Sequence, residues 1–200
     1  MKAAFTIIQT MFILLLLVIL SSISFPWVIE NIGIAMDLTE IKSIKSQFDE
    51  CNDRILETAR TGAANRCVFN IRRGEISGRQ EGIYYKLISN APICDVSPLV
   101  EIDPKTHIWQ ECNISGNQRV YGLLWKFPSS LNITGEGIQG NQMSGQTTVS
   151  NINFDETINF ETLTLYINFQ YQPGQIGNII ELNRVDITQT NITLRVNFVG

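Results

Sequence analysis

The sequence predicts an α+β protein in which a long N-terminal hydrophobic and amphipathic helix precedes an antiparallel β-sandwich or barrel-like head. Three observations support this fold class. No ionisable side chain lies between Lys2 and Glu30. Apolar residues then recur at helical spacing as far as Leu56. After Gly62 the apolar period changes to two, as in strands with one buried face.

The first part of the helix is long enough to cross a membrane. Residues 5–25 contain neither Gly nor Pro, and about 20 apolar helical residues span the hydrocarbon core of a bilayer. We therefore assign residues 5–29 to a transmembrane or filament-core helix. Pro26 lacks a backbone N–H, so a kink is expected there without an end to the helix.

Residues 30–62 are predicted to continue the same helix in amphipathic form. The apolar stripe consists of residues spaced seven apart, together with Leu38. Charged residues stand between them, Asp37 and Glu40 among them, and these predict a solvated face. Its second half is expected to pack on the head, and Ile34–Ile44 to contact neighbouring helices. Thr61-Gly62 marks the expected end, giving a helix of about 55 residues and about 80 Å. The seven-residue series is Ile34, Ile41, Phe48 and Ile55.

Residues 63–200 are predicted to form the β-rich head. Residues 72–78 have turn composition, the proline-rich segment 90–104 is expected to be mainly loop, and the glycine-containing segment 128–150 is expected to be the most flexible part of the head. The predicted strands are Cys67–Ile71, Gly82–Ile88, Ile93–Val96, His107–Ile114, Arg119–Phe127, Leu163–Tyr171, Ile179–Ile187 and Ile192–Phe198.

Four cysteines follow the apolar run, and an even number on the outer side of a membrane favours two disulfides. Zinc is disfavoured because the chain has no C-x-x-C spacing and a single histidine. Three pairings are possible, and the sequence does not choose among them. We favour the pairing that joins the helix end to the first strand and closes a proline-rich loop, which is Cys51 with Cys67 and Cys94 with Cys112.

The charges on either side of the apolar run predict that the head lies outside the cell. Lys2 precedes the apolar run and acidic residues follow it, so the positive-inside rule puts the N-terminus in the cytoplasm. Three N-x-[ST] sequons, at Asn113, Asn132 and Asn191, are candidate glycosylation sites that fit an exterior head. A net charge of −4 argues against nucleic acid as a partner, because nucleic acid requires a concentrated basic surface.

The N-terminal residues carry a family resemblance. Lys2-Ala3-Ala4, followed by Phe5-Thr-Ile-Ile-Gln9 and an uninterrupted apolar helix, resembles the class III signal sequence of type IV pilins and archaeal pilin-like proteins. The resemblance implies that residues 1–4 are a short leader and that a prepilin-type peptidase cleaves between Ala4 and Phe5. The family usually has Glu where Gln9 stands, so Gln9 makes a weaker, uncharged contact with a neighbouring subunit's amine.

The resemblance implies a structural subunit, major or minor, of a type IV pilus-like surface filament. Such a subunit waits in the cell membrane, joins like subunits through its helix and displays its head outward for adhesion, with a surface glycan or cell-envelope component as a possible ligand. The helix residues assigned to assembly are Phe5, Gln9, Pro26, Ile34, Leu38 and Ile41.

Other interpretations of the N-terminus remain open. The chain can be a monomeric, single-pass anchored extracellular binding protein or a component of filament machinery, held by an uncleaved signal anchor. Alternatively, Ser22-Ile-Ser24 is a small-x-small site after which a secretory peptidase would cleave, releasing residues 25–200.

We predict no catalytic site, metal or cofactor, and an anchored hydrolase is the weakest alternative. His107 lacks a nucleophile motif, and the carboxylates Asp155, Glu156 and Glu161 suit a turn between strands. The segment Gly135–Gly140 lacks the lysine of a phosphate loop. The basic cluster could contact anionic surface polymers or a partner subunit, but a solvated hairpin explains it more simply. Its members are Arg66, Arg72, Arg73 and Arg79.

Overall fold

The computed structural model describes the backbone of residues 2–128, 130–133, 163–188 and 191–200. Within these ranges it describes side chains from Met11 onward, except at positions 23, 26, 30, 132 and 133. The predictions for Gly135–Gly140, for Asp155, Glu156 and Glu161 and for most of the loop 128–150 therefore lie outside the described residues.

One α-helix, α1, runs from Lys2 to Thr61. Its 60 residues correspond to about 90 Å, and it continues through Pro26 and Gly33 as the sequence predicts. Gly62 ends it with a φ of 74°, and the Gly62 N–H donates to the Thr58 carbonyl over 2.9 Å. The Arg184 guanidinium donates to the Ala59 and Arg60 carbonyls at 3.0 and 3.2 Å, so a distant strand completes the C-terminal cap.

The described strands form two five-stranded sheets, in the orders β1-β9-β10-β8-β7 and β2-β3-β6-β5-β4. Neighbouring strands are antiparallel apart from β8 and β10, which are parallel. The described strands therefore make two separate sheets and no closed barrel. Their bounds are β1 Asn65–Val68, β2 Glu75–Arg79, β3 Gly82–Ser89, β4 Ser97–Asp103, β5 Ile108–Ser115, β6 Gln118–Lys126, β7 Ser130–Ile133, β8 Leu163–Gln170, β9 Ile179–Ile187 and β10 Asn191–Val199.

The second half of α1 lies in the core of the head, as predicted from its apolar stripe. It packs on β1, β9 and β10 of one sheet and on β3 of the other, so both sheets and the helix share one hydrophobic core. Phe48 is at its centre, stacked on Trp125 and edge-on to Phe69, with ring centroids 5.4 Å apart in both pairs. The helix residues buried in this core are Ile44, Phe48, Cys51, Ile55 and Ala59.

The alternating strands behave as the period of two predicts. In β10, Ile192, Leu194, Val196 and Phe198 are buried, and in β8 Leu163 and Leu165 are buried. The predicted β5–β6 hairpin is also present, with its turn at Gly116-Asn117. The strands predicted from alternation in Leu163–Tyr171 and Ile192–Phe198 are therefore confirmed.

Three predictions in the head are wrong. Residues 130–133, predicted to belong to a flexible glycine-containing loop, form the edge strand β7, which pairs with β8. Residues 72–78 were predicted to form turns, but residues 75–79 form the edge strand β2. Gly78 serves close packing instead of a turn, because a Cβ there would lie 2.8 Å from the Tyr171 Cβ. Ile93–Val96, predicted as a strand, is not one, and β4 forms instead at Ser97–Asp103. Pro98 is tolerated in β4 because this strand lies at a sheet edge and its register skips from Ser97 to Val100.

Both favoured disulfides are present. Cys51 in α1 is bonded to Cys67 in β1, and Cys94 is bonded to Cys112 in β5. The first ties the helix to the first sheet, and the second closes the proline-containing segment that includes all of β4. In the chain-entropy model, loops of about 15 residues closed in this way contribute about 3 kcal/mol each.

Replacing the aromatic ring at the centre of the core tests this arrangement. Phe48→Ala is expected to lower the free energy of unfolding by about 3–5 kcal/mol, because it removes a large buried side chain and leaves a cavity beside Trp125. Urea unfolding of the full chain in detergent micelles, followed by tryptophan fluorescence, measures the change. The control Ser46→Ala, at an exposed position of the same helix, should change stability by less than about 0.5 kcal/mol. Equal effects of the two substitutions would contradict the core position of Phe48.

Candidate membrane anchor and its junction with the head

The first half of α1 exposes an unbroken apolar surface. Every side chain from Met11 to Leu20 is exposed, and Phe25, Trp27, Val28 and Ile29 are exposed beyond them. The helix is long and apolar enough to cross a membrane. Contiguous apolar surface of this extent is costly in water and marks a membrane or protein contact.

The residues assigned to assembly divide into two groups. Phe5, Gln9 and Pro26 lie in the helical backbone of the apolar half. Nearer the head, Leu38 is exposed and Ile34 is half-buried, but Ile41 packs against the head's own core. Ile44, the end of the stretch expected to contact neighbouring helices, is fully buried in that core. The accessible apolar surface of α1 therefore ends before Ile41.

Two acidic residues of α1 are buried where the helix enters the head. Asp37 is 1% and Glu40 5% exposed, so their assignment to a solvated face is wrong. The physical reason is the helical repeat: Asp37 lies seven residues before the buried Ile44, which lies seven before the buried Cys51. Both carboxylates thus face the head together with Ile44. With Arg72, Arg73, Tyr85 and Ser89 they form what we name the junction cluster.

Asp37 receives a charged and a neutral partner. Arg73 lies with its Nη1 2.5 Å from Asp37 Oδ1, and the Ser89 hydroxyl donates to Asp37 Oδ2 over 2.6 Å. The same Ser89 oxygen accepts from the Ala91 N–H at 3.1 Å. A buried carboxylate is stabilised only when it is paired and hydrogen-bonded, and Asp37 meets this requirement.

Glu40 supports the backbone between β1 and β2. Its Oε1 accepts from the Arg72 N–H at 2.7 Å and from the Arg73 N–H at 3.4 Å. These two N–H groups lie in the connection between β1 and β2, outside the paired ranges of either strand. The carboxylate therefore satisfies part-buried backbone donors that no strand pairing satisfies.

Tyr85 closes the junction cluster from β3. Its hydroxyl donates to the Arg73 carbonyl over 2.8 Å. Burial raises the pKa of Tyr85 well above its ordinary value, and the negative charges of Glu40 and Asp37 raise it further. Tyr85 is therefore held in the neutral, hydrogen-bond-donating form.

The basic cluster does more than form a solvated hairpin. Arg73 pairs with Asp37, and the Arg79 guanidinium lies 3.2 Å from the centroid of the Tyr84 ring. Tyr84 in turn donates to Glu111 over 2.7 Å, and burial together with this carboxylate raises the Tyr84 pKa to about 12. Arg66 accepts a hydrogen bond from Arg54 through its carbonyl. Arg72 is exposed.

The remaining candidate residues are dispersed. Asn113 is exposed on β5, and Asn191 is half-buried at the start of β10. Asn132 lies in β7, and its side chain is outside the described set. His107 adopts a φ of 55° in the β4–β5 turn, with its Nδ1 3.6 Å from Glu101. Within the described ranges, no group of three or more His, Cys, Asp or Glu side chains is arranged to hold a metal ion.

No protein-family model, curated protein or solved structure matches this chain.

Removing the charge of Asp37 tests the junction cluster. Asp37→Asn is expected to lower the free energy of unfolding by about 1–3 kcal/mol, because Arg73 loses its charged partner while the Ser89 bond can persist. This decrease in the free energy of unfolding is smaller than that for breaking a fully buried ion pair, because the Arg73 side chain is 39% exposed and can be hydrated. Urea unfolding is the measurement. Asp53→Asn, the same change at an exposed site of α1, is the control, and an equal loss there would contradict the role of Asp37.

The buried tyrosines predict instability at high pH. Tyrosines of the unfolded chain lose their protons near pH 10, while Tyr85 keeps its proton in the folded state. The unfolded state then binds fewer protons, so the free energy of unfolding falls as pH rises above 10. Tyr84 and Tyr121, whose pKa values are also raised by burial, add to this slope.

Tyr85→Phe should therefore reduce the slope of stability against pH above pH 10, although it also removes the hydrogen bond to Arg73 and lowers stability at pH 7. Thermal unfolding at several pH values from 7 to about 11 measures both effects. Parallel curves for the two proteins would contradict a raised Tyr85 pKa.

Proposed function

We propose that this chain is a membrane-anchored surface protein of pilin-like type, a structural subunit of a surface filament. The observation that carries the proposal is the division of α1 into two parts. The exposed apolar part from Met11 to Ile29, which we name the apolar rod, projects from the head. The second half of α1 lies in the core of the disulfide-bonded β head. Such a chain needs an apolar environment for one end and presents a folded domain at the other.

A membrane supplies that environment to the isolated chain. Burial of apolar surface is favourable by about 25 cal/mol per Å², and the side chains from Met11 to Leu20 are exposed along the helix. Trp27 follows them near the end of the run, a position suited to the membrane–water interface. The two disulfides favour an oxidising location for the head.

Packing against like helices supplies the same environment in a filament. The apolar rod, with Leu38 and Ile34 nearer the head, is the surface through which like subunits would join. The sequence from Lys2 to Gln9 supports this step because it resembles the class III signal sequence, with cleavage by a prepilin-type peptidase between Ala4 and Phe5. Because α1 is continuous into the head, each head would be displayed at a fixed distance from the filament axis.

A second candidate is a monomeric anchored binding protein or a component of filament machinery. Gln9 favours it, since a neutral amide forms a weaker contact than a carboxylate with the amine of a neighbouring chain. In either case the head is the outward-facing domain, and a surface glycan or cell-envelope component is the class of ligand we would test first.

Mass spectrometry of the native N-terminus distinguishes these possibilities. The pilin-like proposal predicts a mature chain that begins at Phe5, and Ala4→Leu should leave residues 1–4 attached because small residues precede the cleaved bond in the family it resembles. Ala3→Leu, one residue away, is the matched control and should still be cleaved. A native chain that retains Met1 would overturn processing, and one that begins at Phe25 would identify a secreted protein.

Electron microscopy separates the subunit from the monomeric anchor. Filaments that carry this chain, detected with an antibody to the head, are expected in surface preparations and should be absent when the uncleaved Ala4→Leu variant replaces it. A correctly processed chain found only as a membrane-bound monomer would favour the second candidate.

A further inference from the structure

A second line of mainly apolar side chains, which we name the seam, runs along the exposed surface of α1. Its members are spaced alternately four and three residues apart, and the side chain of every one is exposed. This spacing is that of the positions that face a partner helix in a coiled coil. The members of the seam are Met11, Leu15, Val18, Ser22, Phe25, Ile29, Ile32, Met36 and Thr39.

The seam lies away from the face of α1 that is buried in the head. Phe48 is at the centre of the buried face. Because a helix turns about 100° per residue, Ile32 and Met36 lie at least about a third of a turn from Phe48. In the apolar rod almost any line of residues is apolar, so the positions beyond Glu30 are the informative ones. There Ile32 and Met36 are 54% and 55% exposed.

The surface around Met36 has the form of a hole for a side chain. A groove of about 260 Å³ opens there, bordered by the loop between β1 and β2. In a coiled coil each seam side chain inserts between four residues of the facing helix. In a parallel pair, the four residues around such a side chain follow the spacing i, i+3, i+4 and i+7. The helix residues that line the groove have this spacing and are Ile32, Ala35, Met36 and Thr39.

We propose that two copies of this chain pair in parallel through the seam, with Met36 of each copy inserted into the groove of the other. The pairing is parallel and in register because both copies enter the membrane in the same direction. It goes beyond the proposed filament, since a two-fold pair closes on itself. It rests on the membrane insertion of α1, which belongs to the proposed function, and on no other part of that function.

Water favours the pairing at the outer end of the seam. A bilayer with its headgroups is about 40–45 Å thick, which corresponds to about 27–30 helical residues. If Lys2 lies at the cytoplasmic headgroups, the outer headgroups end near residues 29–32 and Met36 lies in water in a single copy. Lipid tails are as apolar as the side chains of the rod, so the hydrophobic effect does not pair helices inside the bilayer. Beyond the headgroups it does, and Ile32 and Met36 supply it.

The two polar members of the seam can face an apolar partner. The Ser22 hydroxyl donates to the Ile19 carbonyl over 2.8 Å, and the Thr39 hydroxyl donates to the Ala35 carbonyl over 2.7 Å. Both hydroxyls thus form their hydrogen bonds within α1. Contact with a second helix leaves neither of these donors unsatisfied.

The charges at the rim of the groove favour a neutral occupant. Arg73 is paired with Asp37, and Glu40 accepts from backbone N–H groups of the loop between β1 and β2. Neither an anion nor a cation is therefore needed to complete the rim. An apolar helix with the same spacing fits this surface, and α1 of a second copy has it.

Cysteine cross-linking of the full chain in phosphatidylcholine vesicles tests the pairing. The four natural cysteines are bonded to one another, so Met36→Cys introduces a free thiol. Under mild oxidation it is expected to give at least about fivefold more disulfide-linked dimer than Leu38→Cys, because seam positions of the two helices face each other. Leu38, 40% exposed and two residues away, is off the seam and is the matched control. Equal yields would overturn the pairing.

A charge in the seam tests the same contact without a cross-link. Met36→Glu should weaken association at least about tenfold, because it places two like charges against each other in an apolar contact. Energy transfer between donor-labelled and acceptor-labelled copies, at increasing dilution in lipid, is the measurement. Leu38→Glu is the control and should associate as the wild type does. Unchanged energy transfer in Met36→Glu would contradict the pairing.

The native N-terminus separates this inference from the filament proposal. In a filament, neighbours are related by rotation and translation along its axis, so position 36 of one copy does not meet position 36 of the next. Paired chains that retain Met1 would support the pairing and overturn processing. Chains that begin at Phe5 and stay unpaired in both assays would overturn the pairing and leave the pilin-like proposal in place.

Discussion

The structure depends on the burial of one face of α1 between the two sheets of the head. Ile44, Phe48 and Ile55 contribute to a core that neither sheet completes alone, so the head cannot keep its packing if the helix is withdrawn. The same helix continues without a break into the apolar rod. The helix α1 therefore determines both the fold of the head and the position of the head relative to the apolar rod.

The junction cluster determines where that face begins. Apolar contact along α1 ends near Ile41. One to four residues earlier it is replaced by hydrogen bonds from the β1–β2 loop to Glu40 and by an ion pair between that loop and Asp37. Hydrophobic contacts are tolerant of sliding along a helix, whereas a buried carboxylate requires its own donors. The two acids thus define the register of the helix in the head, and the apolar stripe supplies most of the burial.

Much of the fold could be predicted from local pattern, because a helix and a half-buried strand have different apolar periods. The seven-residue series through Phe48 and the alternation in Leu163–Tyr171 and Ile192–Phe198 identified the elements correctly. The edge strands β2 and β4 were missed because their glycine and proline depend on neighbours distant in sequence. The junction cluster was missed because charged side chains such as Asp37 and Glu40 are normally predicted to face solvent. The spacing from Asp37 to Ile44 and Cys51 was a signal that could have revealed it.

The disulfide between Cys51 and Cys67 has a mechanical consequence. Any tension between the anchor and the head enters through α1 and acts along the helix axis, so the buried face resists it in shear. At Cys51 the chain has a covalent branch to β1, and the load can pass into the first sheet without crossing residues 52–66. The end of the helix and the turn at Gly62 are thereby relieved of tension. Reduction of this one bond would remove its contribution of about 3 kcal/mol to the stability of the head at rest. It would also direct an applied force through the last turns of α1.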